Sequence, residues 1–225
     1  MSGRRRWTAL ALVTAAAACS DIAHPTRDEV YEWRYITLNA TGTGLDSLSF
    51  HWPAARLPVK VWAEGAAGLP DNLPKAIAAW RAAFLYGEFD ATVVSDSARA
   101  DVIFRAGPPP GPPSLGRVRL HAALAPQCSG ATDIALSDDH TRLVLPIRSY
   151  IDPGAAPDDP GLPACLALTT THELGHALGI FQHSDEPSDL MYASPTVPGP
   201  SERDLETAEH IYHVPANLEA VRGGP

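Results

Sequence analysis

Cysteine is scarce. The chain has three in 225 residues, Cys19, Cys128 and Cys165. None falls in a Cys-x-x-Cys pair, the spacing that closed thiolate metal sites use, so the cysteines are not read as metal ligands. The apolar run near the start, Trp7 to Ala18, has 12 residues, whereas a bilayer span takes about 20. Basic residues are outnumbered, 17 Lys and Arg against 26 Asp and Glu, for a net charge of −9. Losing residues 1–18, which carry Arg4, Arg5 and Arg6 and no acid, would leave the chain more acidic still. Such a chain gains nothing from a phosphate backbone, which argues against nucleic acid as a partner. There is no internal repeat. What is present suits one substantial domain: the length is ample for a core, and 45% hydrophobic residues excludes wholesale disorder.

The three arginines, the apolar run and the small residues Ala16-Ala17-Ala18 predict a signal peptide over residues 1–18. Small residues directly before Cys19 resemble a bacterial lipobox, with Ala16 where leucine is usual. Lipidation of Cys19 would anchor the protein to the envelope membrane by lipid alone; free secretion is the alternative. Residues 19–51, polar with scattered aromatics and the turn Thr41-Gly42-Thr43-Gly44, are expected to be a tether, or else a short propeptide. Cys128 and Cys165 are most simply one disulfide in an exported protein, with two buried thiols as the alternative.

The most informative stretch is His172 to Met191, HELGHALGIFQHSDEPSDLM. On a helix, positions i and i+4 lie on one face, so His172 and His176 can offer two imidazole nitrogens to one metal ion. Glu173 projects from the neighbouring position and can reach a water at that metal without being a ligand. Gly179 tolerates left-handed geometry where the helix stops, and His183 then comes within reach as a third ligand. Three nitrogen ligands and an open fourth position describe a catalytic zinc site.

These residues resemble the signature of the metzincin metalloproteases, the matrixin-like group in particular: His-Glu-x-x-His-x-x-Gly-x-x-His followed by a Met-turn. Met191 in Asp-Leu-Met-Tyr matches the Met-turn, a packed base under the metal and not a ligand. The chain departs at one point. His183 lies four residues after Gly179, where the family has three, so one extra residue sits among Ile180, Phe181 and Gln182. Asp185 is the alternative third ligand. The resemblance implies an α+β fold: a small, twisted, mostly parallel sheet packed on a zinc-binding helix, with a C-terminal helix. It covers roughly residues 52–214 and is sharp only between 172 and 192 and in the final helix. The cysteine that blocks zinc in many matrixin zymogens has no counterpart here.

The rest of the chain agrees in order. Leu57 to Trp62 alternates and reads as the first strand. A helix follows, with Pro74 in its first turn, Asp71 and Asn72 as caps, and Leu73, Ile77, Trp80 and Phe84 as its core stripe; Gly87 ends it. Ala91–Val94 and Ala100–Phe104 are two short strands. Residues 107–113 are a proline-dense loop, a candidate rim of the cleft. Residues 116–121 alternate as an edge strand would, and either this strand or the next is the candidate to hold extended peptide. Thr132 to Tyr150 is a hairpin turning at Ser137-Asp138-Asp139-His140, a cluster that matches no calcium-loop spacing and reads as a solvated turn; calcium remains unsupported. Thr169, Thr170 and Thr171 either orient the imidazoles or pack. His24, His51, His121, His210 and His213 read as surface or satisfied histidines. Ser201-Glu202-Arg203-Asp204 caps a last helix ending at Tyr212, and residues 215–225 are expected to fray.

The function expected from this reading is zinc-dependent hydrolysis of peptide bonds by a monomer acting on peptide or protein, with Glu173 as general base and one catalytic zinc on His172, His176 and His183. Two rivals stand: a different zincin using Glu202, Glu206 or Glu209 as third ligand, and a non-catalytic zinc- or peptide-binding surface lipoprotein.

Overall fold

The computed structural model describes residues 30–113, 116–122 and 127–223. The signal peptide expected over residues 1–18, and Cys19, lie outside them. Among the described residues the fold is α+β, with one seven-stranded mixed sheet and three α-helices. The strands are β1 (Tyr35–Leu38), β2 (Leu45–Leu48), β3 (Val59–Ala63), β4 (Ala91–Val93), β5 (Val102–Ala106), β6 (Arg117–Ala122), β7 (Ser129–Leu136), β8 (Arg142–Asp152) and β9 (Glu219–Arg222). The helices are α1 (Leu69–Arg81), α2 (Leu162–Leu178) and α3 (Glu202–His213).

The sheet runs β4-β3-β5-β8-β7-β6, with β9 also on β8. β4, β3, β5 and β8 are mutually parallel, while β7 and β6 return antiparallel and leave β6 at the edge. β8 is long enough to serve two parallel neighbours in turn, β9 along Arg142–Leu145 and β5 from Ile147 onward. Pro146 falls at the changeover, opposite the register shift in β7 between Asp133 and Ala135, so its missing N–H takes no bond from either ladder.

α1 begins earlier than the sequence suggests. It starts at Leu69 after Gly68 (φ +64°), with Pro70 in the first turn and Pro74 inside the helix. The buried stripe accounts for this: Leu69 precedes Leu73, Ile77 and Trp80 at helical spacing and is fully buried with them. The helix stops at Arg81, before Gly87.

α2 is buried on nearly every side, Leu162, Cys165, Leu166 and all of Thr169 to Leu178 being inaccessible. A helix apolar all round belongs in a core, and α2 packs between α1 and the sheet. Trp80 of α1 donates its indole N–H to the Thr171 carbonyl (2.8 Å), and Trp52 donates to that of Ala177 (2.9 Å). Cys128 and Cys165 form a disulfide, with Cα atoms 6.0 Å apart, that ties the start of β7 to the first half of α2.

Two boundary expectations are corrected. Residues 31–51 are not a tether: β1 and β2 pair as a hairpin, and Tyr31, Leu48 and Phe50 are buried in the same core as α2. Their apolar residues are too few and too spaced to show as a periodic element. Nor do residues 215–222 fray. β9 pairs with β8, Leu218 and Ala220 are buried, and Arg222 reaches the buried Asp101 carboxylate at 2.8 Å.

Candidate metal centre

α2 places His172 and His176 one turn apart, both fully buried. His183 arrives from the turn after the helix. The ring nitrogens converge: His172 Nε2 lies 3.2 Å from His176 Nε2, which lies 3.3 Å from His183 Nε2. Among the described residues, these three form the group able to hold a metal ion, their ligand atoms all within 4.8 Å of one another.

Hydrogen bonding sets the tautomers of the two helical histidines. His172 Nδ1 lies 2.7 Å from the Leu190 carbonyl, and His176 Nδ1 lies 2.6 Å from that of Ile180. A carbonyl can only accept, so each Nδ1 carries the proton and each Nε2 turns a bare lone pair to the common centre. Nε2 atoms so protonated elsewhere cannot hydrogen-bond one another and repel unless a cation lies between them. A tetrahedral ion with bonds of about 2.0–2.1 Å sets its ligand nitrogens about 3.3–3.4 Å apart, so the donor set fits such an ion. Burial, then the neighbouring His183, holds His172 down at about 3. Burial also lowers His176 well below the ordinary value, and burial, then His121, lowers His183. All three imidazoles are therefore neutral at physiological pH, the form that ligates.

Glu173 is fully buried. Oε2 accepts from the Thr132 hydroxyl at 2.7 Å, and Oε1 has no partner. Burial pushes the carboxyl up to about 8, opposed by the Thr132 bond.

The motif's glycines are required by close approach. A Cβ on Gly175 would lie 2.5 Å from Met191 Sδ and 2.6 Å from the Trp80 ring, so Met191, itself fully buried, packs against the turn that carries both histidines. Gly179 has φ +121°, and a Cβ there would lie 2.1 Å from the Phe50 carbonyl oxygen.

The extra residue before His183 is taken up by the N-terminal segment. Ile180 turns its carbonyl back to His176, while Phe181 donates its N–H to the Trp33 carbonyl (2.7 Å) and stacks on Phe50. Both are buried, so the longer turn is packed and not looped out. Ser184 then donates its N–H to the Met191 carbonyl (2.9 Å), joining the His183 turn to the Met191 turn.

Asp185 is not drawn in as a ligand: it is exposed and pairs with Arg203 at 2.9 Å. Glu202, Glu206 and Glu209 do not join the histidine group. Thr169, Thr170 and Thr171 bond the carbonyls of Cys165, Leu166 and Ala167 in their own helix and do not orient the imidazoles. At the 137–140 turn, Asp139 accepts from Ser137 and Thr141, and His140 pairs with Asp46 at 2.9 Å.

Several supporting residues escape a reading of the sequence. Asp204, read only as part of a helix cap, completes a capping box with Ser201 and also holds the Leu190 amide at 2.7 Å. Asp189 accepts from the hydroxyls of Ser184 and Ser201. Thr132, Ser149 and Gly130 surround Glu173 from the sheet. Their local contacts look like ordinary caps and turns; the bonds that tie them to the site, such as Leu190 to Asp204 and Thr132 to Glu173, cross between elements. The sequence matches no family model and no curated protein.

Proposed function

We propose that the protein is a zinc-dependent endopeptidase of the metzincin type. The observation that carries this reading is the convergence of three imidazole nitrogens, two of them from the helix that also carries the buried Glu173, one of whose oxygens is unpartnered. The fold agrees with it: a mostly parallel sheet against the histidine helix, Met191 packed against Gly175, and a C-terminal helix. Disulfide-bonded Cys128 and Cys165 suit the exported lipoprotein or secreted form proposed from residues 1–19.

His172, His176 and His183 would hold the ion. Zinc bound there supplies Lewis acidity, polarising a peptide carbonyl and making water acidic enough to attack it near pH 7. Glu173 takes the proton of the attacking water and delivers it to the leaving amine. Its burial favours the neutral acid, and a cation on the adjacent imidazoles would favour the anion, so the group is poised between the two forms. The Leu190 and Ile180 carbonyls hold the imidazoles with Nε2 inward throughout.

The test is cleavage of an unfolded protein by the purified parent beside Glu173→Gln, with zinc content measured on both. The parent should cleave, the variant should not, and both should hold one zinc. Zinc in both with cleavage by neither would favour a binding role over catalysis.

A further inference from the structure

We propose that Thr132 is the positioning residue for Glu173, acting with Ser149 and Gly130 to decide which carboxylate oxygen receives the proton. The inference rests on the peptidase reading above.

Thr132 and Ser149 face each other across β7 and β8 as a register pair, and both are fully buried. Thr132 Oγ1 lies 2.7 Å from Glu173 Oε2 and 2.8 Å from Ser149 Oγ. With Glu173 ionised, the form a general base needs, its oxygens only accept, so Thr132 commits its one hydroxyl proton to Oε2. Ser149 must then donate to Thr132. The result is a directed chain, Ser149 to Thr132 to Glu173, anchored at two points of the sheet.

The other oxygen is treated in the opposite way. Oε1 is buried without a partner, an arrangement costly to keep and therefore in need of a reason. It lies against Gly130, where a Cβ would come within 2.2 Å of it. Gly130 thus clears the space that Oε1 occupies, and no hydroxyl in the cradle competes for that oxygen. The proton of the attacking water goes to Oε1 as the water oxygen bonds to the carbonyl carbon. It leaves Oε1 for the amine nitrogen as the carbon–nitrogen bond breaks. Oε2 keeps its bond to Thr132 throughout, so the carboxylate does not rotate between the two transfers.

The test uses the full-length protein carrying Thr132→Val, which keeps the shape and removes the hydroxyl, and Thr132→Ser, which keeps the hydroxyl. Thr132→Val should lower kcat on a peptide substrate by about 10–100-fold, with KM within about twofold and zinc content unchanged. Thr132→Ser should recover most of the loss. Independently of activity, Thr132→Val should lower the melting temperature of the parent but hardly that of Glu173→Leu, which has no acceptor to lose. The proposal is overturned by parental kcat in Thr132→Val, by Thr132→Ser no better than Thr132→Val, or by equal melting losses in both backgrounds. Should the parent cleave nothing, the peptidase reading falls and takes the positioning role with it. Non-additive melting would in that case still establish the contact, so the two failures are distinguishable.

Discussion

Asp204 accepts the backbone N–H of Leu190 at 2.7 Å. The carbonyl of the same Leu190 receives the Nδ1 proton of His172. One peptide segment thus links the cap of α3 to an imidazole of the candidate metal centre. The carboxylate also accepts from the Ser201 amide (2.9 Å), the Met191 amide (3.3 Å) and the Tyr31 hydroxyl (2.8 Å). The last helix, the Met191 turn and the N-terminal segment therefore meet on a single buried group.

Replacing Asp204 by alanine strands two buried amides and a phenol at once. Each lost bond to a charged acceptor is worth about 1.5–3 kcal/mol, so the variant should be among the most damaging single changes outside the histidines. Metal affinity should fall by about 10–100-fold as His172 loses its support. Urea unfolding and competition with a chromophoric chelator measure the two effects; parental zinc affinity in a folded Asp204→Ala protein would refute the linkage.

Phe50 tests the corrected domain boundary. It is fully buried, stacks on Phe181 and makes an edge contact with Trp52. Phe50→Ala should cost about 3–5 kcal/mol, and truncation before residue 52 should give a protein that does not fold. A stable, zinc-binding 52–225 fragment would restore the tether reading.

Gly175→Ala should destabilise by about 1–3 kcal/mol through overpacking, because the added methyl meets Met191 and the Trp80 ring, neither of which has room to retreat. Adding Met191→Ala should recover part of the loss, whereas adding a distant cavity such as Ile134→Ala should not. Thermal melts of the single and double variants decide this.

In protein stripped of metal by chelation, stability should peak near pH 6–7. His172 has a folded value of about 3 against 6.5 unfolded, so its contribution is complete above about pH 6.5 and is lost as pH falls toward 3. His176 and His183 are shifted the same way. Glu173, raised to about 8 from 4.5, acts oppositely: its contribution is complete below pH 4.5 and is lost as pH rises through 8. Between 4.5 and 6.5 the three histidines outweigh the one acid. Glu173→Gln should abolish the decline between pH 6.5 and 8 and leave the acid limb; an unchanged alkaline decline in that variant would rule Glu173 out as its source.

Whatever depends on neighbours within a turn or two of chain is legible in the residues alone. His172 and His176 share a face because four residues close a helical turn, and Glu173 and Gly179 follow from the same register. Strand alternation around Leu57–Trp62, the stripe from Leu73 to Trp80 and the Ser201 capping box are local in the same sense. What depends on distant segments is set by the packed fold. The start of α1 at Leu69, the burial of Tyr31 and Phe50, and the pairing of β9 with β8 all depend on surfaces the local pattern does not display. The same holds at the site. His183 reaches the centre despite the longer turn because Trp33 and Phe50, well over a hundred residues earlier, pack Phe181 in place. The surroundings of Glu173 come from β7 and β8. Ligand spacing is a property of helix geometry and can be read from a string of letters; the hydrogen bonds that aim those ligands span the whole fold and exist only once the core has closed around them.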